Sequence, residues 1–390
     1  MREPFQHAMM PRATHDELGQ QNFVASLRIH VGIITSASRL VYERKVKPAF
    51  VQAHNRQPRN HHEVRRSMKQ EPTYQMWSAL KRTSKEMHWD SVGESIERQL
   101  PALIAKSKAR KRPVGSLKLD PTLEVPRYLS AIDIHEMPGS YHTEIARDDV
   151  YAGALYDRGG YYEVMSLIGE ASHNIDEHAG ALVLEGSSHN AIGYLKEAFP
   201  DIEPVRILDM GCAVGSSSLP YVRAFPQAEV YALDISAPQL RYGHARAEAL
   251  DTKIHFSQQN AECTDYPDGY FDIVVTHAVV HETSRKAVRR ILRECYRLLR
   301  KGGVTVHSER KFFAGLDPHE AFLNDWDTYN DNEPFKSTLR EMDPRDLLIE
   351  AGFDAGDVFF VGTSRKVGRK TLFVEPGDQR AFGAIFGARK

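Results

Sequence analysis

From Pro204 onward the sequence alternates short apolar runs with helical patterns, and this alternation constrains the fold more than any other feature. The runs are VRILDM (205–210), EVYALDIS (229–236), KIHFSQ (253–258), FDIVVTH (271–277) and GVTVHSE (303–309). Helical patterns fill 216–225, 238–250 and 284–300. The last puts Val288, Ile291, Leu292, Cys295, Leu298 and Leu299 on one face. Strands separated by a helix pair in parallel, with helices on both sheet faces. Asp343–Val374 adds a helix (344–351) and two strands (357–362 and 370–374) that suit an edge hairpin. The expected class is α/β, a doubly wound, mostly parallel seven-stranded sheet.

The region before the sheet differs in charge and pattern. Residues 1–120 carry 22 Lys/Arg against 11 Asp/Glu, and the remainder 29 against 41. Such asymmetry suggests two modules. Leu27, Val31, Ile34, Leu40 and Val41 recur at helical spacing, as do Met76, Leu80, Met87, Val92, Ile96, Leu100 and Ile104. The expected domains are a helical basic accessory domain (1–120), a Pro- and Tyr-rich cover or linker (121–165), the sheet domain (166–375) and a C-terminal tail (376–390). The basic run at 106–113 reads as a linker or as a site for an anionic partner.

Several classes are disfavoured. The best membrane-spanning candidate, Phe23–Ile34, is interrupted by Arg28 and His30, so no span is expected. Residues 1–20 lack the apolar core of a secretory signal. The three cysteines, Cys212, Cys263 and Cys295, give neither a disulfide framework nor zinc-ligand spacing, so a reducing cytoplasm is the expected compartment. His61 and His62, with His54 upstream, read as surface histidines, because adjacent residues on a helix point in different directions. No metal is expected. A net charge of −1 argues against nucleic-acid binding along the whole surface.

VRILDMGCAVGSSS (205–218) ends a strand in Asp209 and turns through Gly211, Ala213 and Gly215 into a helix. Glycine allows a tight turn and close approach to a ligand, but the spacing departs from the dinucleotide fingerprint G-x-G-x-x-G. Asp234 ends the next strand, where a carboxylate can accept two ribose hydroxyls. Asn260-Ala261-Glu262 follows the third. With VYALDIS, QNAECTDYPDGYFDIVVTHAVVHE and ILRECYRLLRKGGVTV, this text resembles the class I S-adenosylmethionine-dependent methyltransferases. It is most similar to the small-molecule group that includes the ubiquinone/menaquinone C-methyltransferases. The resemblance covers about 150–310 and implies a Rossmann-like methyltransferase using S-adenosyl-L-methionine.

By that resemblance, Asp209 and the Gly211–Gly215 backbone hold the methionine end of the donor, and Asp234 holds the ribose. Ile235 packs on adenine, whose edge Asn260 and Ala261 read, with Glu262 beside them. The family usually has Asp at the place of Asn260 and Gly at that of Ala213. Alanine is comfortable there only at negative φ. Tyr156, with Asp157, is similar to the Tyr-Asp pair that closes over the donor.

The segment after the fourth strand, THAVVHE, lies at the carboxyl edge where doubly wound sheets place ligands. His281 is the expected base for an acceptor that must lose a proton, or else a structural cap. Glu282 would orient His281 or bind a cationic acceptor, His277 would form a donor-pocket wall, and Glu309 points to the same edge. No Asp/Asn-Pro-Pro-Tyr follows the fourth strand and no Pro-Cys occurs, so a small-molecule acceptor is expected over nucleic acid. The helical region either caps the acceptor pocket or forms a homodimer. The rival readings are an RNA or protein methyltransferase working through the basic region, a non-catalytic donor-binding protein, and a nicotinamide enzyme.

Overall fold

Each of the five apolar runs forms a strand in the computed structural model, which describes residues 6–109, 113–168, 186–367, 370–378 and 380–390. They are β2 (Arg206–Met210), β3 (Glu229–Asp234), β4 (His255–Gln258), β5 (Phe271–His277) and β6 (Leu299–Arg310). β5 is buried at every position, as a strand covered on both faces must be. β7 (Val358–Val367) and β8 (Lys370–Val374) form the expected antiparallel edge pair.

Two further strands correct the expectation of seven. β1 (Ser116–Lys118), inside the region read as all-helical, pairs in parallel with β4. β9 (Ala381–Arg389), in the stretch read as a tail, inserts antiparallel between β6 and β7. Among the described residues the order is β1-β4-β3-β2-β5-β6-β9-β7-β8. β1 is too short to carry a pattern. β9, AFGAIFGAR, contains two glycines, which are poor strand formers. Gly387 is required by its place: a Cβ there would lie 2.0 Å from the Thr305 carbonyl oxygen and 2.5 Å from Phe359 Cζ.

The N-terminal helices are α1 (His15–Val41), α2 (Lys47–His54), α3 (His61–Met68), α4 (Pro72–Glu97) and α5 (Leu100–Ser107). Thr14 and Glu17 form a reciprocal capping box at the start of α1. After the short α6 (Arg127–Ser130), α7 (Tyr151–Ile168) packs against both α1 and α4. The sheet is covered by α8 (Gly186–Ala198), α9 (Leu219–Ala224), α10 (Ala237–Ala249) and α11 (Arg285–Leu298). α12 (Pro318–Asn324), α13 (Trp326–Asn330) and α14 (Lys336–Arg340) follow β6, and α15 (Pro344–Ala351) precedes β7. Trp89, Val92, Ile96, Leu155, Tyr162, Val214 and Tyr242 form one buried cluster that joins the N-terminal helices to the sheet.

Two expectations for the N-terminal region are corrected. Helix runs without a break from His15 to His54, and by length and composition it could cross a membrane, with a window of mean hydropathy 1.2 of which 17% is buried. Gly, Ser and Thr separate many of its apolar residues. The same helix packs along α4, where the Trp77 indole donates to the Val31 carbonyl at 3.1 Å. Phe23, Ile33, Ile34 and Leu40 of α1 and Met76 and Leu80 of α4 stay exposed. His61 is buried rather than a surface residue. Of the basic run at 106–113, residues 110–112 lie outside the described residues.

Because β9 bridges the parallel strands and the edge hairpin, Gly387→Ala should cost at least about 2–3 kcal/mol. A lower urea midpoint at unchanged slope would register the loss.

Candidate functional site

The loop after β2 is stitched to the end of β3 by backbone hydrogen bonds. The Gly211 and Cys212 amides donate to the Leu233 carbonyl at 2.8 and 3.0 Å, and the Ala213 amide to Asp234 Oδ2 at 2.9 Å. Asp234 Oδ1 accepts the Ser236 amide at 2.9 Å, and Ser236 caps α10. Each Asp234 oxygen therefore holds one backbone N–H and keeps lone-pair capacity for a ligand. Gly211 has φ of 76°, and a Cβ there would meet Val279 at 2.6 Å. Ala213 has φ of 47°. The condition set by its sequence, a negative φ, is not met, and the left-handed conformation costs about 1–2 kcal/mol.

This loop borders a cavity of about 510 Å³. Asp234, Ile235, Asn260, Ala261, Ile291 and Tyr156 are among its lining residues. Gly211, Ala213 and His277 also reach it. His277 is 3.0 Å from the Tyr221 hydroxyl, and burial lowers its pKa to about 3, so it serves as a neutral wall.

Three residues expected here do not line the cavity. Asp209 lies beneath the loop, where the Ser217 and Ser218 hydroxyls each donate to Oδ2 at 2.6 Å. Gly215 turns against Phe256, which a Cβ would meet at 2.9 Å. Glu262 turns outward to accept from the Tyr128 hydroxyl at 2.9 Å and pair with Arg290 at 3.0 Å. Asn260 keeps its place, but its Oδ1 accepts the Glu262 amide at 2.9 Å. The oxygen expected to read adenine thus already holds a turn.

His281 Nδ1 is 2.6 Å from Glu309 Oε2, whose other oxygen accepts the Val280 amide at 3.1 Å. Donation from Nδ1–H to Glu309 leaves Nε2 as the basic nitrogen, 3.5 Å from Glu333 Oε2. Glu282 does not orient His281. It accepts from the Tyr141 hydroxyl at 3.0 Å and lies 3.1 Å from His135 Nε2. Both residues sit in one 3₁₀ turn, Val280–Glu282, where successive side chains point about 120° apart.

His135, Tyr141 and Glu333 were not singled out in the sequence. His135 and Glu333 are lone residues in loops with no motif around them. Tyr141 lies in the Tyr-rich text read as cover. Burial disfavours a charged His135, but Glu333, Asp331 and Glu282 outweigh it and raise its pKa well above the ordinary range. Lys336 bridges Asp327 at 2.6 Å and Glu333 at 2.7 Å, and Lys85 pairs with Asp331. Lys81, Lys85 and Trp89 bring α4 into this wall.

Burial raises the Asp209 pKa from 3.8 to about 6, with the two serine hydroxyls opposing. A carboxyl that holds its proton more tightly when folded loses stability as pH rises through that window. Relative to Asp209→Asn, the wild type should lose on the order of 2–3 kcal/mol between about pH 4 and 6. Denaturation midpoints across that range would show it.

Residues 207–303 match the family model described as a methyltransferase domain. Ajmaline N-methyltransferase of Rauvolfia serpentina is 28% identical over 128 residues, 32% of this chain and 42% of that one. The ubiquinone/menaquinone biosynthesis C-methyltransferase of Dinoroseobacter shibae is 29% identical over 151 residues, 37% and 58% of the two chains. The chain thus spans about half the length of these curated relatives. A solved methyltransferase of Thermotoga maritima is 20% identical, covering 55% of this chain and 96% of that one at a TM-score of 0.39. Residues 207–303 are thus similar to a methyltransferase domain, and the glycine turn and the Asp234 carboxylate lie within that matched stretch.

Proposed function

We propose that the protein transfers the methyl group of S-adenosylmethionine to a small polar molecule held between His281 and the charged wall. The carrying observation is one cavity with a donor-type end at Asp234 and a carboxylate-backed histidine at the other. The residues fit the donor. Asp234 offers acceptor capacity to the ribose, and Ile235, Ala261 and Ile291 offer an apolar slot to the adenine. The bound donor would supply an electrophilic methyl on a sulfonium.

The chain's own residues then align and deprotonate the acceptor. Positioning dominates an in-line displacement, because it converts a bimolecular encounter into an intramolecular one. His281 Nε2 takes the proton of an acceptor that must lose one, and Glu309 and Glu333 stabilise the resulting imidazolium. Partly buried Tyr156 and Tyr141, 5.9 Å apart edge to face, exclude water over the reacting groups. α1 and α4 reach the cavity through Arg28, Lys81 and Lys85, which supports the pocket-capping role for the N-terminal helices. The lysines, Asp331 and Glu333 suit an acceptor with charged or polar groups.

Calorimetric titration with S-adenosylhomocysteine should show saturable binding that Asp234→Ala weakens about 10- to 100-fold. Folded protein with no adenosyl-ligand affinity would overturn the reading. Once an acceptor is found by screening, His281→Asn should lower kcat about 10²- to 10⁴-fold at unchanged donor affinity.

A further inference from the structure

Two clusters among the described residues bring three or more metal-type ligand atoms together, and their charge partners separate them. In the first, His135, Asp331 and Glu333, lysines already occupy the carboxylates: Lys85 on Asp331 and Lys336 on Glu333. A divalent cation there would have to displace two buried ammonium groups.

The second cluster is His61, His62 and Glu341, with Asp325 beside it. His62 Nε2 is 2.9 Å and His61 Nε2 3.4 Å from Glu341 Oε1, and His61 Nε2 is 3.7 Å from Asp325 Oδ2. Among the described residues, neither carboxylate has a lysine or arginine within ion-pair distance; the two histidines are their charge partners. Asp325 is 2% exposed; its oxygens, like His61 Nε2, have no partner at full hydrogen-bond geometry, with the Thr328 and Ser337 side chains and the Arg65 charge nearby. These orphaned atoms face one another inside the cluster. Buried polar atoms left unmatched are costly unless something satisfies them.

We propose that His61, His62 and Glu341, with Asp325 behind His61, form a Zn²⁺ site that clamps α3 to the segment carrying α12–α14. Two imidazoles and one carboxylate suit zinc. Tetrahedral ligation at about 2.0–2.1 Å places ligand atoms roughly 3.3 Å apart, between the 2.9 and 3.4 Å separations of Glu341 from the two histidines. His61 also packs at a tilt against Phe313, with centroids 4.5 Å apart, which restricts its ring. The role is structural. Asp325 lies between Asn324 and Trp326, and Glu341 directly follows Arg340, all three of which line the cavity. The ion would tie the N-terminal helices to the acceptor wall.

The test uses the full chain stripped with a chelator and titrated with zinc sulfate, followed by calorimetry and metal analysis. Wild type should bind one Zn²⁺ per chain and unfold at a higher temperature with zinc than without. His62→Ala, at a half-exposed position that the fold tolerates, and Asp325→Asn should each weaken zinc binding at least about tenfold. Both should abolish the thermal shift and leave S-adenosylhomocysteine affinity within twofold. Substoichiometric zinc in wild type, or unchanged zinc affinity in His62→Ala, would overturn the site.

Discussion

The attachment of the N-terminal helices to the sheet depends on a buried carboxylate, Asp157 on α7. It accepts from the Tyr242 hydroxyl at 2.8 Å, contacts His7 Nε2 at 2.8 Å and lies 3.5 Å from Arg246 of α10. Burial opposes its ionisation, but Arg246, His7 and Tyr242 outweigh it and hold the pKa down to about 2. The next residue, Arg158, is fully buried and donates to Gln21 of α1 at 2.6 Å and to the Pro11 carbonyl at 2.8 Å. Two consecutive side chains thus face opposite ways, one toward the sheet helix and one toward α1. Removing one member of such a buried charged set costs about 3–5 kcal/mol, because the others stay buried and unmatched. The position of α1 and α4 over the cavity follows from this seam.

The two ends of the cavity are built by different physics. The Asp234 end is local, since the loop after β2 is held by the end of β3 and by amides within about 25 residues of each other. The His281 end gathers His135, Lys85, His281 and Lys336 from four distant segments. It holds together through a charge network in which each buried ion needs its partners. Strained backbone collects along the same cavity: Ala213, Ala278, His135 and Ser140 all have positive φ and line it. Sites that must aim side chains and amides at a ligand store strain in this way.

That division explains what could be read in the sequence. Asp234, Ile235, Ala261 and His281 were legible because strand ends and motif spacing mark local geometry, and they line the cavity as expected. Glu262 was misplaced because spacing fixes a residue's position in the chain but not the direction of its side chain at a turn. Asp209 was assigned to the ligand, yet it serves the turn beneath. His135 and Glu333 gave no signal, because their neighbours are set by loop packing across the fold. β1 and β9 escaped notice because three residues, or a glycine-broken run, carry no periodicity. His61 and His62 were read from helix geometry alone, which does not reveal that Glu341 would approach both.

The position of β9 also bears on the order of assembly. β1 to β5 pair only with strands made before β7, and β6 finds its inner neighbour β5 among them, so the parallel part of the sheet can close as the chain emerges. The β7–β8 hairpin is made next but has no place to dock, since its neighbour in the sheet is β9 and not β6. Until β9 is synthesised, the outer edge of β6 and the inner edge of β7 are both open. Unpaired edges of this kind invite pairing with other chains. The interval between β8 and β9 is short in sequence, and that brevity limits how long a nascent molecule exposes two sticky borders at once.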